Sequence, residues 1–374
     1  MENQPTKSYD LIVIGGGLAG LTASLTGQKQ GLTVALIEKG DYPRHRVCGE
    51  YVSQEVVPIF QALDVSLTDL HPPVITHLKL TSPKGRVFTS ELPLGALGLS
   101  RFGFDRHLYQ HACDRGVSFF LNQKANQISW DGRNFQIQTQ QGAAFSAPVV
   151  ISAFGKRSNL DRILNRRFFT QRSPYMGVKF HAEWDMPSHL VELHNFRAGY
   201  CGVSRIESGH VNICYLTTRD HLRRLGSIEM LEKKVLYQNP HLAHVLQKAK
   251  PVWNKPLTIN EISFARKGPV ENHILMAGDA AGLIAPLSGN GMAMAIQAGH
   301  AAAGFAAEFL TGTISRPEME QRYATFWRKS FAGRLWVGRN AQALFQQQWL
   351  AEGSVRGMKA FPSVARWIIQ QTHG

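Results

Sequence analysis

Tyr9-Asp10-Leu11-Ile12-Val13-Ile14-Gly15-Gly16-Gly17-Leu18-Ala19-Gly20 is an apolar run that breaks into a glycine turn. The run is too short to cross a bilayer and reads as a strand buried on both faces. Leu21 to Gln30 then has helical spacing and stops at Gly31, and Thr33 to Glu38 is a second buried strand. Strand, turn, helix and strand make one βαβ unit, the context that gives the spacing G-x-G-x-x-G its meaning. Gly15 permits the tight turn, Gly17 lets the backbone approach a pyrophosphate, and Gly20 lets helix and strand pack closely. The helix N-terminus adds free N–H groups and a positive dipole end for the phosphates. Glu38 closes the second strand at about the 20-residue distance expected of a ribose-binding acid. An acid there disfavours a 2′-phosphate, so NADP is not expected at this turn. The structural alternative, a chance glycine turn, explains neither the flanking strands nor the acid.

Working outward, the next matching signal lies far along the chain. Ile274-Leu275-Met276-Ala277 is another buried strand pattern, and Gly278-Asp279-Ala280-Ala281-Gly282 follows it at once. Pro286-Leu287-Ser288-Gly289-Asn290-Gly291-Met292 then opens a helix. An acid at a strand end binds a polyol, and glycines opening a helix aim N–H groups at an anionic ring edge. A flavin offers both, in its ribityl chain and its N1/C2=O edge, whereas NAD has no ribityl chain for Asp279. A structural loop with a capping Asp is the alternative, and the fingerprint in the same chain weighs against it. The two motifs together point to FAD.

Strands of parallel-sheet type lie near residues 10, 35, 150 (Val149–Ala153) and 275, with a β-rich stretch from Tyr175 to Thr217 between the last two. Asp41 to Ser53 reads as a loop, Phe104 to Arg115 as a helix, and Asp131-Gly132 as a hairpin turn. Beyond Gly289 the pattern is mostly helical. The expected fold is α/β: a discontinuous Rossmann-type FAD-binding domain (1–75, 100–170, 262–312), an inserted antiparallel β-sheet substrate domain (76–99, 171–261), and a helical C-terminal cap (313–374).

Composition sets outer bounds. With 44% hydrophobic and 18% charged residues, the 374-residue chain is globular rather than disordered. No signal peptide or clean apolar run of about 20 residues is present, and four cysteines without a CxxC pair give no disulfide framework or zinc motif. A cytoplasmic location is the expectation, with peripheral membrane contact as an option. The net charge of +14 suits a membrane surface, an acidic carrier protein or an anionic ligand, or merely a solvated basic surface. No nucleic-acid motif is found, so nucleic acid is not an expected partner. The histidines show no HExxH-type spacing, so no metal is expected.

Three further stretches carry a resemblance. Pro43-Arg44-His45-Arg46-Val47-Cys48-Gly49 is similar to a P-R-x-K-V-C-G loop. Arg101-Phe102-Gly103-Phe104-Asp105-Arg106-His107-Leu108 is similar to an R-x-x-F-D-x-x-L helix start, and Gly199-Tyr200-Cys201-Gly202-Val203 to a G-G-Y-x-W strand. With the two nucleotide motifs, they make the chain resemble the FAD-dependent superfamily of aromatic hydroxylase (group A monooxygenase) type, within it the geranylgeranyl reductase and flavin-dependent halogenase branch. The resemblance runs from Tyr9 to about Gly299. It implies cofactor contacts at Gly15, Gly17, Leu18, Ala19, Gly20, Glu38, Lys39, Arg44, Cys48, Gly49, Arg101, Gly278, Asp279, Pro286, Gly289, Asn290, Gly291 and Met292. The chain also departs from the family: Phe154-Gly155 stands where an Asp-Gly pair is frequent, and Val203-Ser204 where the reductases place Trp and an aromatic. The halogenases' paired tryptophans are missing and no catalytic lysine can be placed by motif, which argues against halogenation.

For chemistry, Cys48 is the first candidate, as a residue touching the flavin or donating a proton; the alternative is a small packing residue. Glu50 is the second, with His45 beside it, although a salt bridge from Glu50 to Arg44 or Arg46 is its expected structural role. Only one G-x-G-x-x-G exists, so NADH or NADPH would dock transiently, or a separate reductase would supply electrons. The expected function is geranylgeranyl reductase-like C=C reduction of a largely apolar or carrier-bound small molecule. Hydroxylation through a flavin hydroperoxide, and a non-catalytic flavin-binding or peripheral membrane protein, are the alternatives. In the tail, Trp327, Trp336, Trp349 and Trp367 recur among Arg328, Lys329, Arg334, Arg339, Arg356, Lys359 and Arg366, read as a helical cap before a membrane-facing surface.

Overall fold

The computed structural model describes residues 6–283, 289–346 and 348–360. Leu11–Ile14, Val34–Ile37 and Val149–Ser152 are each four residues long and buried throughout. Such strands gain nothing from an edge position and pair parallel, at the centre of a six-stranded sheet. Its order is Val270–Glu271, Ile274–Met276, Val149–Ser152, Leu11–Ile14, Val34–Ile37, Ser118–Phe120. Only the first pair is antiparallel. The glycine turn and the Gly278-Asp279 turn therefore leave the same end of two parallel strands separated only by Val149–Ser152, although they lie more than 250 residues apart in sequence.

Helix Leu18–Lys29 packs on helix Gly291–Leu310 at unusually short range. A methyl group built at Gly299 would lie 2.1 Å from the Ala19 carbonyl oxygen, and one at Gly20 would lie 1.9 Å from that of Gly15. Neither backbone oxygen can yield, so both positions need glycine. Thr26 Oγ1 and His300 Nδ1 meet at 3.0 Å further along the same contact.

The second large unit is a nine-stranded sheet built on the meander Leu190–Phe196, Gly199–Arg205 and Val211–Thr218, with Tyr175–Glu183 paired to its last strand and Val74–Thr81, Val87–Gly98 and Tyr51–Ser53 extending its other side. Tyr51–Ser53 corrects the expected loop over Asp41–Ser53: its three residues are buried and pair antiparallel with Ala96–Gly98. Three residues are too few to show a period in sequence. Ser118–Phe120 joins the parallel sheet, whereas Ala125–Trp130 and Phe135–Thr139 form a hairpin in a separate four-stranded sheet. At its turn, Asp131 Oδ1 accepts from the Arg133 and Asn134 amides.

Helices Arg316–Gln346 and Gln348–Ala360 follow. Trp327 is buried in the main core, while Trp336 and Trp349 are 62% and 70% exposed; Trp367 and Arg366 lie outside the described residues. Arg334 forms a bidentate pair with Glu55 at 2.8 and 2.9 Å. Among the described residues, no helix is long and apolar enough to cross a membrane.

Candidate active site

The glycine turn is held by its own neighbours. Gly15 sits at φ +107°, a conformation closed to side chains, and a methyl there would strike the Ala153 carbonyl at 2.4 Å. Glu38, nearly fully buried, accepts from the Gly16 amide at 2.6 Å and the Gly40 amide at 3.1 Å, and pairs with Arg44 at 3.0 Å. A carboxylate has about four acceptor positions, so three are taken and one remains for a ribose hydroxyl. Tyr42 donates to the Gly16 carbonyl at 2.6 Å. Leu18 and Ala19 are buried, which leaves only their backbone amides for a ligand. Gly17 caps the helix with no side-chain bond of its own. A methyl there would meet nothing nearer than Arg101 Nη2, at 3.7 Å. Lys39 is exposed.

Arg101 joins this turn to the second motif. Helix Arg101–Asp114 starts three residues earlier than its sequence pattern suggested, because Ser100 caps it with a 2.9 Å bond from the Gly103 amide. The Arg101 guanidinium grips the buried Asp105 through two 2.7 Å bonds, which raise its pKa despite burial. Burial pushes the Asp279 carboxyl upward, while Lys267, Arg101, Lys156 and Arg46 pull it down. Two of those four cations belong to the first motif's side of the site, so the structure brings Arg101, Arg46 and Asp279 together. Lys156 and Lys267 were not found from sequence; burial lowers both to about 8. Lys267 donates to the Lys156 and Asp279 carbonyls at 2.7 and 2.8 Å. Lys156 directly follows Phe154-Gly155, and Lys267 binds its carbonyl, so the charge beside that turn is positive. Gly289, Asn290 and Gly291 lead into the Gly291–Leu310 helix, with Asn290 and Met292 buried; Pro286 lies outside the described residues.

The loop that carries Cys48 lies over the large sheet. Cys48 is half-buried, and Gly49 is exposed to open space. Asn212 Nδ2 fixes the loop by donating to the Cys48 and Gly49 carbonyls at 3.1 and 2.8 Å. Burial raises the thiol's pKa although Arg101 opposes it, so the sulfur keeps its proton at neutral pH.

Glu50 departs from expectation. Arg44 goes to Glu38 and Arg46 to Asp105, while Glu50 turns into the sheet at φ +54° and is fully buried. Its Oε1 accepts from the Arg101 amide at 2.7 Å and from Lys179, and its Oε2 meets His181 Nε2 at 2.7 Å. Lys179, fully buried, also donates to the Arg46 carbonyl at 3.0 Å. Burial raises the Glu50 pKa, but the His181 bond and the Lys179 charge outweigh it and leave the group ionised. Trp253 covers the cluster, with ring centroids 4.6 Å from His181 and 4.4 Å from His45. Burial, His181 and Lys179 lower His45 to about 4. Lys179, His181 and Trp253 are site residues that sequence reading missed. The available signal was the alternation in Val178-Lys179-Phe180-His181-Ala182, which puts both polar groups on one sheet face.

The site fits FAD on these observations. The turn at Gly17 is open to a pyrophosphate, and the buried Arg44 Nε and Arg46 Nε have no hydrogen-bond partner among the described residues. An unsatisfied buried guanidinium N–H is costly unless an anion takes it.

A family model described as "FAD binding domain" matches residues 8–325. A digeranylgeranylglycerophospholipid reductase of Methanoculleus marisnigri is 24% identical, covering 87% of this chain and 83% of its own. A flavin-dependent halogenase of Armillaria mellea is 22% identical, covering 85% and 71%. Among solved structures, a geranylgeranyl bacteriochlorophyll reductase-like protein from Thermoplasma acidophilum superposes with a TM-score of 0.75 at 20% identity, over 93% of this chain and 91% of that one. At that identity the likeness concerns the fold.

Proposed function

This chain belongs to the FAD binding domain family of FAD-dependent oxidoreductases, and from that premise we propose that it reduces a carbon–carbon double bond of a largely apolar substrate. The observation that carries the proposal is the Cys48 loop. It carries a half-buried thiol that burial keeps protonated, close enough to feel the charges of the Glu50–Lys179–His181 cluster. Alkene reduction needs a hydride at one carbon and a proton at the other. FAD, when bound, supplies the hydride chemistry.

This chain's residues do the rest. Gly15 to Gly20, Arg44 and Arg101 would hold the pyrophosphate, Glu38 and Asp279 would accept from hydroxyls, and the amides at Gly289 to Met292 would serve the flavin's anionic edge. Cys48 gives its proton to the substrate carbon. The Lys179 ammonium and the Arg101 guanidinium then stabilise the thiolate until solvent reprotonates it, since nearby cations favour the charged form. Glu50 keeps the ammonium in place.

Electrons come from NADH or NADPH docking transiently, or from a separate reductase. A second reading, oxygen-dependent hydroxylation, is favoured by Lys179, because a fixed buried ammonium stabilises developing negative charge on oxygen. One experiment separates the two. The FAD-loaded protein is reduced anaerobically with NADH, NADPH or dithionite, mixed with prenyl-chain alcohols and lipids, and the products are weighed by mass spectrometry with and without air. A gain of two hydrogens without air supports the reductase. A gain of one oxygen only in air transfers the assignment to hydroxylation.

Trp336 and Trp349, exposed among basic residues of the terminal helices, fit contact with an anionic bilayer that would carry such a substrate. Co-sedimentation with anionic vesicles that is lost at high salt, and weakened in the Trp336→Ala/Trp349→Ala protein, is the expected result.

A further inference from the structure

We propose that Asp69, His107 and His111 form a site for a single zinc-class divalent cation. Each offers one ligand atom, and the three atoms lie within 4.8 Å of one another. His107 and His111 stand one turn apart on helix Arg101–Asp114, so their rings share a face. The rings meet edge to face, with centroids 4.5 Å apart. Asp69 approaches from the short helical turn Thr68–Leu70. Around one zinc ion at about 2.0–2.1 Å from each donor, tetrahedral ligands sit roughly 3.3 Å apart.

The surroundings are those of a ligand set. His107 Nε2 lies 2.9 Å from the Ser66 carbonyl. A carbonyl can only accept, so Nε2 carries the proton and the Nδ1 lone pair is left for a metal. A carbonyl accepting from the other ring nitrogen in this way commonly orients a metal-bound histidine. The segment leading into Asp69 is held in place. Arg115 donates to the Leu63 and Asp64 carbonyls at 2.5 and 2.8 Å, and Ser66 and Thr68 hydroxyls meet at 2.8 Å. Two imidazoles with one carboxylate favour zinc and its borderline neighbours over magnesium or calcium, which prefer all-oxygen sets. The ion would tie the 63–72 segment to the helix whose first residue is Arg101. It would act as a staple, with a fourth position open to water.

The test uses the full-length untagged flavoprotein and Zn2+ delivered from a chromophoric chelator. The expected result is one equivalent bound at micromolar Kd or tighter, with at least tenfold weakening in both Asp69→Asn and His111→Ala and an unchanged flavin spectrum. A few degrees' rise in Tm with Zn2+, lost in the same variants, should accompany it. Asp69 is exposed, so Asp69→Asn keeps the fold and decides the matter even if His111→Ala does not. No binding below millimolar Zn2+, or binding that Asp69→Asn leaves intact, would overturn the proposal.

Discussion

The large sheet buries two clusters of the same composition, one on each face. Register makes Lys179 the neighbour of Cys214, Cys214 that of Gly202, and Gly202 that of Leu193. Lys179 and His181 therefore lie on one face, and Glu192 and His194 on the other. On the first face a carboxylate, an ammonium and an imidazole meet as Glu50, Lys179 and His181; on the second, as Glu192, Lys79 and His194. Glu192 and Lys79 are direct cross-strand partners, 3.0 Å apart, and His194 closes the set at 3.0 Å. That cluster borders a cavity of about 360 Å3 walled by Trp184, His241 and His244, and the Lys79 side chain keeps 26% of its exposure. In the first cluster both side chains of the ion pair have 0%, and the acid comes from a loop that also holds Arg101. One set is a local sheet pair with water nearby. The other joins two units and has no water to compensate a loss.

The largest expected effect follows from that difference. Removing one partner of a fully buried pair leaves an uncompensated charge, at a cost of about 3–5 kcal/mol. Glu50→Ala should destabilise by that order in urea unfolding. Glu192→Ala should cost about 1–3 kcal/mol, because Lys79 can turn to solvent. Equal losses would break the contrast.

Turnover sharpens it. Lys179→Met removes the cation beside the Cys48 loop and should lower kcat by about 100-fold, the usual scale for losing a positioned proton-transfer or charge-stabilising group. Lys79→Met, on the opposite face, should leave kcat within about twofold at matched folded fraction. The readout is kcat against KM: a purely structural Lys179 would lower the amount of active enzyme and leave kcat per flavin unchanged.

The same contrast explains what sequence could and could not show. The βαβ unit and the Gly278-Asp279 strand end are local in sequence, because strand, turn and helix must follow one another for a backbone to cradle phosphate. Their alignment at one sheet end follows from parallel pairing. Glu50 was legible as a polar group in the right loop, but its partners were assigned to Arg44 and Arg46 by proximity in sequence. The left-handed backbone at Glu50 accompanies a turn away from both, toward a strand 129 residues on. Lysine in a strand ordinarily reads as the solvent side of an alternation. Only the three-dimensional closure of the Cys48 loop and Trp253 over that face reveals Lys179 as interior. The grouping of Asp69, His107 and His111 was not legible for a related reason: Asp69 comes from another segment, so the three form no contiguous motif.

The smallest expected effects lie in the pH dependence of stability, and they separate the faces by window. Burial and its cationic neighbours lower His45, on the first face, to about 4 from an ordinary 6.5. A group depressed on folding contributes stability in full above its unfolded pKa and loses it as pH falls toward the folded one. The His45 share should therefore fade between pH 6.5 and 4. Glu192, on the second face, resists burial through His194 and Lys79 and is held at about 2. Its share is intact above pH 4.5 and fades from there toward 2. Urea midpoints across pH 7 to 3 should fall throughout. His45→Phe should flatten only the upper part, leaving the slope due to His194, His221 and His300, which burial also lowers. Glu192→Gln should flatten only the lower part. If Glu192→Gln instead left the slope between pH 4.5 and 3 unchanged, its carboxylate would be ordinary in the folded protein, and the two faces would differ less than their geometry implies.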